Sequence, residues 1–256
     1  MRDRTAAMEF RAGSARVAVN VASRAGLLDG IAARLARGEG FALATLNLDH
    51  LVKLGRDADF AAAYAAQDLV TADGRPVVWL ARLAGREVEL ITGSDLIRPL
   101  LRVAAGLGAP VGFLGATDAT LAAAARRLRD DIPGLEIACT IAPPMGFDPE
   151  GEAARAALAQ MQAAGVRLCL LALGAPRQER LAALGRRAAP GIGFVSIGAG
   201  LDFIAGSQRR APAWMRAVAL EWLWRMLSDP RRLALRYLRA AAILPGQAWR
   251  AWRVRG

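Results

Sequence analysis

The 256-residue chain is 54% hydrophobic and carries a formal net charge of +11, enough apolar residues to bury one large core with an appendage. The first twelve residues, MRDRTAAMEFRA, are mixed in charge, and no run of eighteen uninterrupted apolar residues occurs, so neither a signal peptide nor a spanning helix is expected. Cys139 and Cys169 lie in apolar contexts and read as buried thiols of a reducing compartment, and with a single His they leave no Cys/His zinc site.

The charge is unevenly placed. Ser207 to Gly256 holds eleven Arg against Glu221 and Asp229, a local net of +9, so the preceding residues are nearly neutral. Five of the six Trp (Trp214, Trp222, Trp224, Trp249 and Trp252) lie in the same stretch. The composition shift near Gly206 divides the chain into a body, 1–206, and a basic, Trp-rich helical appendage, 207–256.

Along the body, short apolar runs alternate with Ala/Leu/Arg segments of helical period. FALATLNLDH (41–50) reads as a strand running into a polar turn, and LVKLGRDADFAAAYAAQ (51–67) as a helix. DLVTADG is a strand and turn, and RPVVWLARLAG starts a helix with Pro where its missing N–H costs nothing. APVGFLGAT (109–117) is a strand closing on a Gly turn. The next helix covers 118–131, with Asp118 as its N-cap. GLEIACTIAPP is a strand, and 148–165 a helix. VRLCLLALGAP (166–176) is continuously apolar, as a central parallel strand covered on both faces must be. RQERLAALGRRA is helical, and GFVSIGAGLDFIAG (193–206) reads as a last strand ending in glycines. This alternation predicts a doubly wound α/β body with a parallel sheet.

Ligands of open parallel sheets bind at the carboxyl ends of the strands. Four such ends carry polar or glycine clusters: Thr45-Leu46-Asn47, Asp73-Gly74, Gly174 to Glu179, and Gly198 to Asp202. GFLGAT and ALGAPRQE have the form of a turn that admits phosphate, but neither is a P-loop or a full G-x-G-x-x-G. Asp73 has two readings: a cap for the next helix on an Asp-Gly turn, or a working carboxylate at a strand end. His50 reads as a helix-start residue before it reads as a base. No Asp-x-Asp pair is present to hold a cation beside a diphosphate, so diphosphate chemistry here would rest on Arg and helix dipoles, with no metal and no cofactor.

The series TLN (45–47), TADGRPVVW (71–79), ITGSDL (91–96), VGFLGAT (111–117), LALGAPRQE (171–179), GAGLDFIAG (198–206), RRAPAWM (209–215), LEWLWRM (220–226) and DPRRLALRYL (229–238) resembles the WecG/TagA/CpsF glycosyltransferase family, in order and spacing, from about residue 40 to 240. The resemblance implies a doubly wound, Rossmann-like parallel sheet with a C-terminal basic helical appendage. It implies an inverting, UDP-sugar-dependent hexosyltransferase of bacterial exopolysaccharide or cell-envelope synthesis, whose acceptor is a saccharide on undecaprenyl diphosphate. Such an enzyme is cytoplasmic, peripheral at the inner face of the plasma membrane. Residue by residue, it places the general base on Asp73. It puts donor-sugar contacts on Thr45 and Asn47, and the donor-binding end of the sheet at Gln178 and Glu179; Gly174, Gly200 and Asp202 join them from the strand-end clusters. Relatives carry an Arg shortly before the V-T-G run; here VELITG offers Glu89, Leu90 and Ile91.

In the tail, Arg interleaves with Trp, Leu and Ile, as in helices that lie in a membrane interface. Arg210, Arg216, Arg225, Arg231 and Arg232 are the candidates for an anionic surface or the donor diphosphate, brought there by closure of the tail. The competing expectation is that these helices only pack on the core, with Arg on the solvated face. Oligomers in solution, with an active monomer at the membrane, are compatible with such a tail. A nucleic-acid-binding protein is the first alternative, but the tail is too apolar and has no reader motif. A dehydrogenase would need glycines after the first strand, and ATLNLDH has none. A non-catalytic relative that binds sugar nucleotides is the remaining alternative.

Overall fold

The computed structural model describes residues 7–208, 211–212, 215, 221–228 and 230–255, with the side chains of 221, 222, 225, 228 and 232 outside the description. A hairpin of β1 (Met8–Ala12) and β2 (Ala15–Val19) comes first, then α1 (Arg24–Arg37). The body follows as β3 (Phe41–Leu46), α2 (Leu48–Leu54), α3 (Ala58–Ala65), β4 (Leu69–Ala72), α4 (Arg75–Leu83), α5 (Gly93–Gly106), β5 (Val111–Gly115), α6 (Asp118–Asp131), β6 (Ile137–Ile141), α7 (Glu152–Ala163), β7 (Leu168–Ala172), α8 (Arg177–Ala188), β8 (Gly193–Ser196) and α9 (Gly200–Ala205). The tail contributes α10 (Glu221–Ser228) and α11 (Pro230–Arg253).

Strands β3 to β8 form one six-stranded sheet in the order β4-β3-β8-β7-β5-β6, parallel throughout. It is the doubly wound, Rossmann-like α/β sheet expected of the sequence. The central strands were legible as apolar runs because helices cover both faces, whereas β6, at the edge, alternates buried and exposed residues. One layer packs Ile31, Leu100, Leu121 and Leu201 of α1, α5, α6 and α9 beneath the sheet. On the other, Leu158 and Met161 of α7 join Leu181 and Leu184 of α8. A third cluster joins the hairpin to α2, α3 and α4. Cys139 and Cys169 are free and buried, and burial raises both thiols, which leaves them inert.

Several local expectations need correction. The segment 193–206 is not one strand: β8 stops at Ser196 and α9 begins at Gly200. Residues 51–67 hold two helices, because the chain turns at Gly55 and Asp57 starts α3 by accepting the Phe60 N–H at 2.9 Å. The N-cap before α6 is Thr117, which accepts from Thr120, while Asp118 sits in the first turn. The 148–165 helix starts only at Glu152, after Gly151. Gly93, the first residue of α5, has a packing reason: a Cβ there would stand 2.9 Å from both the Ile197 Cα and the Ser196 carbonyl.

The tail helix α11 uses both of its faces. Ala251 is buried, and Ile243, Leu244 and Ala248 pack on the third cluster, along α2 and α4. Gln247 Nε2 and Arg250 Nη1 donate to the Arg11 carbonyl at 2.6 and 3.2 Å. Arg236 reaches Asp49 on α2, with Nε 3.1 Å from Oδ1, and Asp49 Oδ2 lies 2.9 Å from Lys53 Nζ. The opposite face exposes Leu235, Leu238, Trp249 and Trp252 among Arg231, Arg239 and Arg253, the last 4.0 Å above the Trp249 ring. Packing on the core and an outward apolar–basic face therefore coexist. No helix among the described residues is long and apolar enough to cross a membrane.

Asp49→Asn removes the charge shared by Arg236 and Lys53, each about one-third exposed. A screened pair of this kind is worth about 1 kcal/mol. Amide exchange in α11 is therefore expected to speed up roughly fivefold while β5 and β7 stay protected. Unchanged exchange would mean that the apolar seam alone holds the tail.

Candidate functional site

The site is built at the carboxyl edge of the sheet. β3 and β4 pair in register, Thr45 with Thr71 and Leu46 with Ala72. The ladder runs one step further, the Asp73 N–H donating to the Leu46 carbonyl at 2.8 Å. That step fixes Asp73 just beyond the strand, where the Thr45 hydroxyl donates to Asp73 Oδ2 at 3.1 Å. The next helix is not capped by Asp73: its N-cap is Gly74, at φ 98°, with no side-chain cap bond. The turn reading of this carboxylate thus loses its main structural task, and Asp73, partly exposed, is held by a buried threonine instead.

Asn47 caps α2, its Oδ1 accepting the His50 N–H at 3.0 Å, which leaves the amide N–H groups as its capacity for a ligand. His50 stands in the first turn of α2 with its ring wholly buried, edge-on to Phe60 and Tyr64. Its Nδ1 lies 3.1 Å from the Tyr64 hydroxyl. Burial lowers its pKa to about 3, which makes the imidazole neutral and only weakly basic at physiological pH, and its ring is shut away from any substrate hydroxyl. Burial also raises the Tyr64 phenol above its usual range, and the charges of Glu179 and Asp73 raise it further.

A second polar unit ties the β7–α8 turn to the β8–α9 turn. Gly198 N–H donates to Gln178 Oε1 at 3.1 Å, and Gln178 Nε2 donates to Glu179 Oε1 at 2.8 Å. Gln67 Nε2 on the α3 side donates to the Glu179 carbonyl at 3.1 Å. Glu179 is fully buried, and its Oε2 finds no hydrogen-bond partner among the described residues. Burial raises its pKa to about 7 against the smaller opposing effect of the Gln178 bond. Gly174, at φ 70°, needs the left-handed turn that precedes Gln178.

The remaining expected residues are placed differently. Gly200 is buried against α5, where a Cβ would strike Ile97, so close packing accounts for it. Asp202 accepts from the Ser207 hydroxyl at 3.1 Å, at the far turn of α9. Arg231 is exposed at the start of α11. Arg210 and Arg216 lie outside the described residues, and so do the side chains of Arg225 and Arg232. Among the described residues, tail arginines meet the body through Asp49, for Arg236, and through the Arg11 carbonyl, for Arg250. Beside Asp49, Lys53 Nζ donates to the Ala175 carbonyl at 3.1 Å and reaches the Gly174 turn. The sequence carried a signal for this pair, since Asp49 and the only lysine stand four apart on one helix. Glu89, in the stretch before Thr92, accepts the Arg24 backbone N–H at 2.7 Å.

This edge-of-sheet carboxylate, supported by a threonine one strand over, is set in a chain whose residues 14–256 match the sequence model of the Glycosyl transferase WecG/TagA/CpsF family. The chain belongs to that family. It is a glycosyltransferase family, so its members act on a sugar donor and an acceptor.

Glu179 makes the stability depend on pH. Its folded pKa, about 7, lies above the unfolded value near 4.5, so protonation stabilises the fold fully below about 4.5 and that contribution is lost as pH rises through 7. Glu179→Gln should therefore stabilise the protein at pH 8 relative to its effect at pH 4.5, by a difference on the order of 3 kcal/mol. Denaturant midpoints at the two pH values measure it. Equal effects at both would mean that the carboxyl is paired when charged.

Proposed function

We propose that the protein is an inverting glycosyltransferase that moves a hexose, N-acetylhexosamine or uronic-acid sugar from a UDP-sugar to a saccharide on undecaprenyl diphosphate, in bacterial exopolysaccharide or cell-envelope synthesis. The observation that carries this reading is the Thr45–Asp73 hydrogen bond at the carboxyl ends of neighbouring strands, in a chain of this family.

Asp73 takes the proton of the acceptor hydroxyl. The freed oxygen attacks the anomeric carbon from the face opposite UDP; the new C–O bond forms as the bond to the diphosphate oxygen breaks, and that electron pair leaves with UDP. One carboxylate suffices because the leaving group needs no proton, only stabilisation of its charge by guanidinium or backbone N–H groups. Thr45 keeps the carboxylate aimed, and the Gln178–Gly198 bond holds the opposite wall of the cleft in place. The exposed Trp249, Trp252 and Leu238 among arginines on α11 support docking at the inner face of the membrane, where the acceptor resides.

A panel of UDP-sugars with a short-chain prenyl-diphosphate-sugar acceptor tests the reaction. UDP release should depend on acceptor and fall about 10²–10⁴-fold in Asp73→Asn, in line with the usual worth of a general base. Thr45→Val should lower turnover about tenfold, the cost of a hydrogen bond to a charged group. Turnover by Asp73→Asn equal to wild type would remove Asp73 from the mechanism. For the membrane, wild type should float with vesicles containing anionic lipid, and Trp249→Ala/Trp252→Ala should not; retention on DNA at the same salt without flotation would favour nucleic-acid binding instead.

A further inference from the structure

A lone exposed apolar residue on a protein surface calls for no explanation, whereas a contiguous group does. Such a group forms where α4 meets α11. The inner face of α4 is apolar: Val77, Val78, Leu80 and Ala81 are buried in the cluster that also takes Ile243, Leu244, Ala248 and Ala251 of α11. The two helices also meet at their ends, since a Cβ on Gly85, just past α4, would stand 4.0 Å from the Arg255 Cγ. Facing solvent on the same two elements are Trp79 of α4 and Trp249, Trp252 and Val254 of the tail, each more than half exposed. At a rise of 1.5 Å per residue, Trp79 lies about 9 Å from Gly85 and Trp252 about 5 Å from Arg255, so their backbones are within roughly 20 Å of one another.

Charge decides what such a surface fits. Residues 230–256 hold seven Arg and no acid. Of these, Arg236 is paired with Asp49 and Arg250 reaches the Arg11 carbonyl, while Arg231, Arg239, Arg253 and Arg255 are exposed. A second copy of the chain would bring the same positive face against itself, which like charge opposes. An anionic bilayer supplies the opposite charge and takes indole rings at its headgroup level, where Trp is favoured. The contribution of α4 is different. Residues 73–89 carry Arg75, Arg82 and Arg86 against Asp73, Glu87 and Glu89, so this stretch is neutral overall. α4 therefore offers an aromatic contact, while α11 and its end supply the attraction.

We propose that the outward face of α4, centred on Trp79, joins the outward face of α11 in one surface that docks on an anionic bilayer. Trp79 follows Asp73 by six residues, so a bilayer that touches it lies beside the carboxyl edge of the sheet. A substrate carried on a lipid then meets Asp73 without leaving the headgroup layer. That purpose rests on the glycosyltransferase reading; the contact of Trp79 with lipid does not.

Site-directed fluorescence on the full chain tests the surface without turnover. Cys139 and Cys169 are buried, so an environment-sensitive thiol probe attaches to an introduced cysteine alone. The probe is placed by Trp79→Cys, by Arg82→Cys one turn along, which keeps Trp79, and by Ala153→Cys on α7 as a control; all three positions are exposed. The vesicles are phosphatidylglycerol and phosphatidylcholine with a nitroxide near the headgroup. At positions 79 and 82 emission should shift to the blue and fall about twofold or more through nitroxide quenching, as for groups seated in the interface. Both changes should vanish at high salt and on phosphatidylcholine alone, and neither should occur at position 153. In the otherwise intact chain, Trp79→Ala should weaken vesicle affinity about tenfold, the worth of one large apolar side chain. The proposal is overturned if positions 79 and 82 stay unquenched while wild type floats, if position 153 responds equally, or if wild type does not bind anionic vesicles. It is also overturned if the blue shift appears with rising protein concentration and no vesicles, which would make this face a contact between copies. Quenching at position 79 without UDP release would leave the surface standing and count against the reaction. Turnover that depends on Asp73, with position 79 unquenched on the vesicles, would do the reverse.

Discussion

The in-register pairing of β3 with β4 is the constraint on which the site depends. Register is set by burial: β3 is buried at every residue, and a slip of one would carry Phe41 and Leu43 to the wrong face. With Leu46 fixed opposite Ala72, the next N–H in β4's strand line belongs to Asp73 and is already committed to the Leu46 carbonyl. The carboxylate is thereby anchored by backbone on one side and by the Thr45 hydroxyl on the other. Because β4 is an edge strand, the same geometry leaves its outer flank to the segments around Asn20 and Leu90. A central strand would have had a neighbour there.

The opposite wall of the site is held by buried polar groups, and they come at a cost. Glu179 is a carboxyl with no solvent, one good donor and one unpartnered oxygen, so its charge is disfavoured. An apolar residue would be cheaper. What the glutamate supplies is geometry: it orients Gln178, whose other end captures the Gly198 N–H and ties two loops from neighbouring strands. Tyr64 and His50 continue the polar cluster beneath Asn47, fully buried and close-packed with Phe60. Rigid support under a ligand-binding edge is a sensible use for a destabilising group.

The sheet was legible because central parallel strands must be apolar throughout, a pattern that β3, β5 and β7 carry without interruption. That Thr45, Asp73, Gln178 and Glu179 lie toward the carboxyl edge was legible for the related reason that polar residues at the ends of such runs, and in the turns and helix starts after them, sit there. What was not legible depended on contacts between distant segments. Arg236 reaching Asp49, and the Arg24 N–H reaching Glu89, join residues that periodicity treats separately. The start of α9 was misread as strand because GAGLDFIAG is apolar and glycine-rich, and a six-residue helix has too few turns to show its period. Gly200 looked like a ligand glycine, yet its contact with Ile97 is a packing contact.

The tail packs on α2 and α4 along an apolar seam, and the Arg236–Asp49 pair links it to the sheet edge. Asp49 lies two residues beyond Asn47, receives Arg236 from α11, and neighbours Lys53, which grips the Gly174 turn. α11 is therefore joined through α2 to the neighbourhood of Asn47 and to the Gly174 turn. The outward face of α11 is the one that an interface would contact, with Trp249 and Trp252 exposed at its end and Leu235 and Leu238 one face along.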